Sequence, residues 1–277
     1  MKASIISVAS ALLATAATAS PLLPRASNGN NGNNNGSAGG DFKTSPFNSN
    51  TAESAEIDAL RAALANAETY TERQNALLGE GGDATNYTFT FINNTVTGQT
   101  GGTIALGTRA SFPALIGTEV AQAFGWVNPC GLNVPHSHPR ANEWLTVISG
   151  FLVGGLVLEA NNGNLGEIVG EPAPERGPLP SVNTTMGPFT GMLFPQGQTH
   201  FQFNPSCEPA LFTAAFDSSD PGRLQVARNF FSFSDEVVAN SFGDVETIDV
   251  SQLPEIRSRI PDSYAVVMEE CAKKCGL

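Results

Sequence analysis

The feature that most constrains the fold is a series of short β-type runs, each rich in aromatic and β-branched residues. These runs are Thr88–Phe91, Ile104–Leu106, Trp144–Ile148, Phe151–Leu158, Met192–Phe194 and Ala210–Phe216. Clusters of Gly, Pro and Asn separate them, and only 14% of the residues are charged. Many short strands punctuated by turn residues predict an all-β sandwich or barrel, with a jelly roll among the options.

Helical patterns flank this β region on both sides. Apolar residues at helical spacing, such as Ile57 and Leu64, predict one helix over residues 53–78. Beyond the β region, Ser251–Ile260 and Ser263–Cys275 are predicted to form two short amphipathic helices. We expect these C-terminal helices to cover the barrel or to clasp a neighbouring subunit.

The N-terminal sequence predicts export. A short apolar run ends in Ala17-Thr18-Ala19, which fits a small-residue cleavage site, so residues 1–19 are predicted to be a signal peptide. Residues 20–51 are rich in Asn, Gly and Ser and predict a disordered arm, which leaves 52–277 as the folded domain. Asn-x-Ser/Thr sequons fit a secretory route to the extracellular space or a cell wall, and they begin at Asn35, Asn86, Asn93 and Asn183.

The net charge of −12 argues against two classes of partner. Binding to nucleic acid needs clustered Lys and Arg, and the sequence has no such cluster. Docking on an anionic membrane surface is disfavoured for the same reason. No segment beyond the predicted signal peptide approaches 18 consecutive apolar residues, so no membrane partner is expected.

All three histidines of the chain fall in two short motifs. The first is His136-Ser137-His138, and positions i and i+2 of a strand face the same side. Glu143 follows at the start of the next apolar run, and His200 lies in a turn that leads into an aromatic strand. A lone strand histidine is usually a satisfied polar residue. Three imidazoles and one carboxylate in such motifs instead favour a site for Mn, Fe, Ni or Zn with open coordination positions.

The same segments resemble the two sequence motifs of germins and spherulins, which are cupins. The run Cys130–Glu143, CGLNVPHSHPRANE, resembles the first motif. The run Pro195–Asn204, PQGQTHFQFN, resembles the second, and the resemblance extends from about Phe112 to the C-terminus. Two positions depart from the motifs, since Cys130 and Phe189 stand where the family has glycine.

The resemblance implies a single β-jelly-roll that holds one metal ion, usually manganese in germins. The implied ligands are His136, His138, Glu143 and His200. It also implies C-terminal helices that interlock subunits, and hence a homo-oligomer.

The resemblance further implies chemistry on small molecules. Germin-like oxalate oxidases use the metal to oxidise oxalate with dioxygen, and sites of this shape can also dismutate superoxide. Asn133 matches one of the asparagines that hold the substrate, so it is the candidate catalytic residue. A second such asparagine would align near Ala123, which has no amide. The alternative is a metal-binding extracellular or wall protein of spherulin type, without catalysis.

Four cysteines in an exported chain predict two disulfides, for which three connectivities are possible. Cys271 and Cys275 are four residues apart in a helical pattern, within bridging distance of each other. If the strands that carry His136 and His200 pair antiparallel, Cys130 and Cys207 lie close across the ladder. The predicted bridges are therefore Cys271–Cys275 and Cys130–Cys207.

Overall fold

The computed structural model describes residues 55–78, 85–94, 100–158, 181–243, 249–261 and 264–277. The predicted signal peptide and arm, residues 1–19 and 20–51, lie outside these ranges. Within the described ranges, no helix combines the length and the apolar character needed to cross a bilayer.

Two antiparallel sheets form the body of the molecule, so the predicted all-β jelly roll is confirmed. The described strands are β1 (Gly102–Gly107), β2 (Ala121–Val127), β3 (Gly131–Ser137), β4 (Glu143–Ser149), β5 (Leu152–Val157), β6 (Ser181–Met186), β7 (Gly191–Phe194), β8 (His200–Phe203), β9 (Ala210–Phe216), β10 (Leu224–Gln225) and β11 (Ala265–Val267). The five-stranded sheet has the order β1-β2-β9-β4-β7. The six-stranded sheet has the order β10-β3-β8-β5-β6, and β11 pairs with β3 in addition.

Alternate residues from both sheets form one apolar core. Leu145 and Phe212 reach it from the five-stranded sheet, and Leu152 and Met186 reach it from the six-stranded sheet. Each fully buried side chain of this size contributes roughly 2 kcal/mol through removal of apolar surface from water. Leu145 on β4 faces this core, whereas its neighbour Trp144 is 53% exposed. The period of two along β4 requires this outcome.

Several predicted helices differ from the structure. The described helices are α1 (Ala55–Asn66), α2 (Tyr70–Leu77), α3 (Val226–Phe230), α4 (Asp235–Asn240), α5 (Leu253–Arg259) and α6 (Glu269–Cys275). The single helix predicted over 53–78 is two helices, because Thr69 and Glu72 form a capping box that starts α2.

Two further assignments are corrected by pairing and packing. The first half of the helix predicted over Ser263–Cys275 is strand β11, since its backbone pairs with β3. The run Thr88–Phe91, predicted as a strand, contributes no strand and leads into a 3₁₀ turn over Phe91–Asn94. The ring of Phe89, within this run, instead packs on the rings of Phe91 and Phe112.

Both predicted disulfide pairings are wrong. The structure pairs Cys130 with Cys271 and Cys207 with Cys275, each with a Cα–Cα distance of 5.4 Å. Residues four apart on a helix face the same side, so the two cysteines of α6 both point at the barrel. Each therefore meets a barrel cysteine, and the two bridges fasten α6 beside the start of β3.

The two motif positions that lack glycine keep a backbone typical of glycine. Cys130 has φ 58° and Phe189 has φ 61°, and among the described residues these are the two non-glycine positions with positive φ. A left-handed conformation costs a residue with a Cβ about 1–2 kcal/mol. The chain therefore preserves the turns of the motifs at some expense in stability.

Candidate metal centre

A β-bulge in β3 brings the polar side chains of the site onto one face. Asn133 pairs with Gln202 and His136 pairs with His200, so three steps along β3 match two steps along β8. The register shift between these pairs turns both Asn133 and His136 into the barrel, where both are buried. A regular strand would have placed them on opposite faces. Sequence periodicity alone gives no sign of this bulge.

The four predicted metal-binding residues meet inside the barrel. Their potential ligand atoms all lie within 4.8 Å of one another, and all four residues are buried. The Oε2 atom of Glu143 lies 3.1 Å from Nε2 of His138 and 3.0 Å from Nε2 of His200. Glu143 comes from the five-stranded sheet, whereas His136 and His200 come from the six-stranded sheet, so the cluster joins the two sheets.

The backbone fixes the orientation of each imidazole ring. Nδ1 of His136 lies 2.8 Å from the Val134 carbonyl, Nδ1 of His138 lies 2.5 Å from that of Gly222, and Nδ1 of His200 lies 2.9 Å from that of Gln198. Carbonyl oxygens only accept hydrogen bonds, so each Nδ1 must carry the proton. In neutral rings Nε2 then presents a lone pair, which is the arrangement seen in histidine metal ligands.

The electrostatics of the cluster favour a cation at its centre. Burial alone raises the pKa of Glu143, but in the metal-free state any proton on Nε2 of His138 or His200 hydrogen-bonds to the carboxylate, and this effect outweighs burial and holds the pKa well below its usual value. Burial, together with the charge of Arg223, holds the pKa of His136 well below its usual value. The site therefore presents an ionised carboxylate beside a neutral imidazole.

Aromatic rings enclose the cluster. Phe194 stacks on His200 with ring centroids 4.4 Å apart, and Phe216 meets His138 edge-on at 4.7 Å. Both phenylalanines are buried. Apolar walls of this kind exclude water and strengthen electrostatic interactions inside the site.

A second group of polar side chains lies next to the four. Asn133, the predicted catalytic residue, donates from Nδ2 to Oε1 of Gln202 at 2.5 Å. Its Oδ1 accepts from Nη2 of Arg223 at 2.8 Å. The sequence could have placed Gln202, since it lies two residues after His200 and shares its face. No periodic signal marks Arg223, which enters the site from the turn before β10.

The donor set fits a metal ion. Two imidazole lone pairs face one carboxylate oxygen at about hydrogen-bond distance, and such an arrangement needs a cation or a proton between the acceptors. Neutral imidazole and carboxylate ligands suit Mn, Fe, Ni or Zn. The described residues could therefore hold one divalent ion, although the geometry does not select among these metals.

Comparisons with known proteins agree with the fold and the motifs. A family model for the cupins matches residues 91–255. Spherulin-1A of Physarum polycephalum is 35% identical over 194 residues, which cover 69% of this chain and 70% of that protein. Germin-like protein 9-3 of Oryza sativa subsp. japonica is 35% identical over 149 residues, which cover 53% and 61% of the respective chains.

Solved structures give the same architecture. A structure of oxalate oxidase superposes with a TM-score of 0.53 at 22% identity, and the match covers 65% of this chain and 83% of that one. Identity at this level speaks for the fold alone. The family model and the spherulin match together establish the relationship. The chain belongs to the cupin family, among its germin-like and spherulin-type members.

Proposed function

We propose that this protein is a secreted oxidoreductase with one manganese ion held by His136, His138, Glu143 and His200, and that it acts on oxalate or superoxide. The observation that carries the proposal is the convergence of three imidazoles and one carboxylate, all buried inside the barrel. Iron, nickel and zinc suit the same donors, and manganese is chosen because the motifs are germin-like. A bound manganese ion would supply a redox-active Lewis acid with open coordination positions.

The surrounding residues have separate tasks in this proposal. The carbonyls of Val134, Gly222 and Gln198 orient the imidazoles, so little rearrangement is needed when a ligand arrives. Asn133 is placed by Gln202 and by Arg223 and offers its amide beside the cluster. Solved structures of oxalate oxidase, some in complex with glycolate, share the fold, and the resemblance to the germin motifs is what suggests a small carboxylate as the substrate.

The proposed location outside the cell has its own support. Both disulfides suit an oxidising compartment. The sequon at Asn183 lies on β6, where its side chain is exposed and available for glycosylation. The predicted homo-oligomer stays a prediction, which light scattering on the purified protein would test.

A second candidate function is metal binding without catalysis, as in a spherulin-type stress or wall protein. One observation favours it. Ala123 is buried on β2, and the family's second substrate-binding asparagine would align near this position. An alanine there has no group that could hold a substrate oxygen. The match to Spherulin-1A, which covers 69% of this chain, also supports the non-catalytic candidate.

The two candidates differ in one measurable respect. Elemental analysis of the secreted protein should find about one manganese per chain, and oxygen consumption on oxalate and superoxide decay would be assayed on the same sample. Glu143→Gln should lose both metal and turnover, whereas the matched control Glu119→Gln, at an exposed position, should keep both. Manganese without turnover supports the non-catalytic candidate, and a wild-type protein that binds no metal contradicts both.

A further inference from the structure

Arg223 brings a positive charge into the barrel from outside the two cupin motifs. It immediately precedes β10, which pairs with β3 at Ser137 and His136. The preceding Gly222 has φ 68° and places its carbonyl on His138, so the turn that orients a histidine also aims the guanidinium. The group stacks over the ring of Tyr264 at 4.7 Å. The N–H of Val134 in turn donates to the Tyr264 carbonyl, which ties this wall to β3.

The charge of Arg223 has no acidic partner among the described residues. Its observed contacts are the neutral amide of Asn133 and the face of Tyr264. Burial lowers the pKa of Arg223 to about 10, so the group remains protonated at neutral pH. A buried charge without an ion pair is costly. The carboxylate of Glu143 offsets it only at a distance, and a divalent ion on the four ligands would make the site strongly cationic.

Two buried donors beside the cluster lack an acceptor among the described residues. They are Nε of Arg223 and Nε2 of Gln202. Asn133 hydrogen-bonds to both side chains, so the two donors belong to one group. An unsatisfied buried donor typically costs about 1–3 kcal/mol. A group of donors that share an excess of positive charge calls for an anionic acceptor.

We propose that Arg223 and Gln202 form a carboxylate-binding subsite beside the four metal-binding residues, and that Arg223 selects small carboxylates over neutral analogues. The planar guanidinium matches the two oxygens of a carboxylate, and hydrogen bonds to charged groups are the strong ones. This subsite rests on the proposed function for its place in a working centre, but its donors exist without the metal.

The test compares a charged ligand with its neutral analogue. Glycolate and glycolamide would be titrated calorimetrically into wild-type protein, Arg223→Gln, Arg223→Lys and the control Arg259→Gln, both manganese-loaded and metal-free. Arg259 is exposed and pairs with Glu255 on the surface. Arg223→Gln should weaken glycolate binding roughly ten- to hundredfold and leave glycolamide binding unchanged. Arg223→Lys should give an intermediate loss, since it keeps the charge but not the planar fork.

The outcomes separate this inference from the proposed function. Metal content and circular dichroism would be measured for every variant, so that a misfolded protein is recognised. If Arg223→Gln does not fold, Arg223→Lys provides the test in its place. If wild-type protein holds manganese and turns over while Arg223→Gln binds glycolate as tightly, ordered water satisfies the donors and the subsite is wrong. If wild-type protein lacks turnover but its glycolate affinity still depends on Arg223, the subsite stands and the oxidoreductase proposal fails.

Discussion

The five-stranded sheet and the six-stranded sheet contribute different things to the barrel interior. Among the described residues, the five-stranded sheet presents Glu143 to the core as its one buried polar side chain, amid apolar neighbours such as Leu145 and Phe212. The six-stranded sheet presents two of the histidines, an asparagine and two glutamines. One sheet therefore supplies most of the packing, and the other supplies most of the chemistry.

This difference explains where the molecule is reinforced. Burial of polar side chains stabilises the fold less than burial of apolar ones, so β3 contributes less free energy than a strand of the five-stranded sheet. The bulge in β3 also interrupts its regular pairing with β8. In compensation, β3 is held by β8, β10 and β11, and both disulfides lie beside its first residues. A sheet that carries a functional site needs support from outside its own core. Four predictions test this division between the sheets.

The largest effect is expected from loss of a bridge at the six-stranded sheet. The double variant Cys207→Ser/Cys275→Ser should lower the free energy of unfolding by about 4 kcal/mol, because the bridge closes a long loop in the unfolded chain. Metal affinity should fall as well, since α6 anchors the strand that pairs with β3. Urea unfolding and metal titration measure the two effects. A loss below about 1 kcal/mol would contradict the supporting role of the bridge.

A core substitution in the five-stranded sheet should affect stability without affecting chemistry. Leu145→Ala removes a fully buried side chain from β4 and should cost about 3 kcal/mol. The metal content should stay at its wild-type value. The matched control is Trp144→Thr, its exposed neighbour, which should change stability by less than about 1 kcal/mol. Loss of metal from folded Leu145→Ala protein would break the proposed division.

Acid should act on the six-stranded sheet first. Burial holds the pKa of His136 below its usual value, so the unfolded chain takes up a proton near pH 6.5 while the folded, metal-free protein does not. Stability should therefore fall as the pH drops below about 6.5, by at most roughly 1.4 kcal/mol per pH unit. Urea unfolding of metal-free protein at several pH values measures the slope. His136→Gln should flatten it, and an unchanged slope would assign the effect to another group.

The smallest effect is a gain in the five-stranded sheet. Phe189 is 84% exposed and has a left-handed backbone at the turn before β7. Phe189→Gly should raise the free energy of unfolding by about 0.5 kcal/mol, since relief of the strain exceeds the added entropy of the unfolded chain. Phe189→Ala keeps the Cβ and should bring no gain. Equal stability of the two variants would show that the aromatic ring, and not the backbone, decides.

The sequence predicted the jelly roll and which residues meet inside it better than it predicted how the C-terminal segment docks. His136, His138 and Glu143 could be placed because short spacing on adjacent strands fixes which way side chains face. The predicted jelly roll and its family were confirmed, and the assignment of ligands is a prediction that metal analysis can settle. The sequence did not predict that Arg223 lies in the site. Its position depends on a distant turn that docks on β3, and no local pattern indicates that contact.

The errors share a physical cause. The two wrong disulfides and the strand at Ala265–Val267 depend on where the C-terminal segment docks, and local periodicity carries no information about docking. The break between α1 and α2 was visible in principle, because Thr69 and Glu72 have the spacing of a capping box.

The docking of β11 and α6 beside β3 also sets the order in which parts of the barrel can form during biosynthesis. These elements lie far downstream of β3 in the sequence, so β3 lacks one of its neighbours until that segment has been synthesised. The cysteines of α6 can then be oxidised only after the rest of the barrel has been made. The support that α6 gives to β3 is thus added late, in whichever compartment forms the bridges. A metal ion that enters the four-residue cluster after this step would come from that compartment.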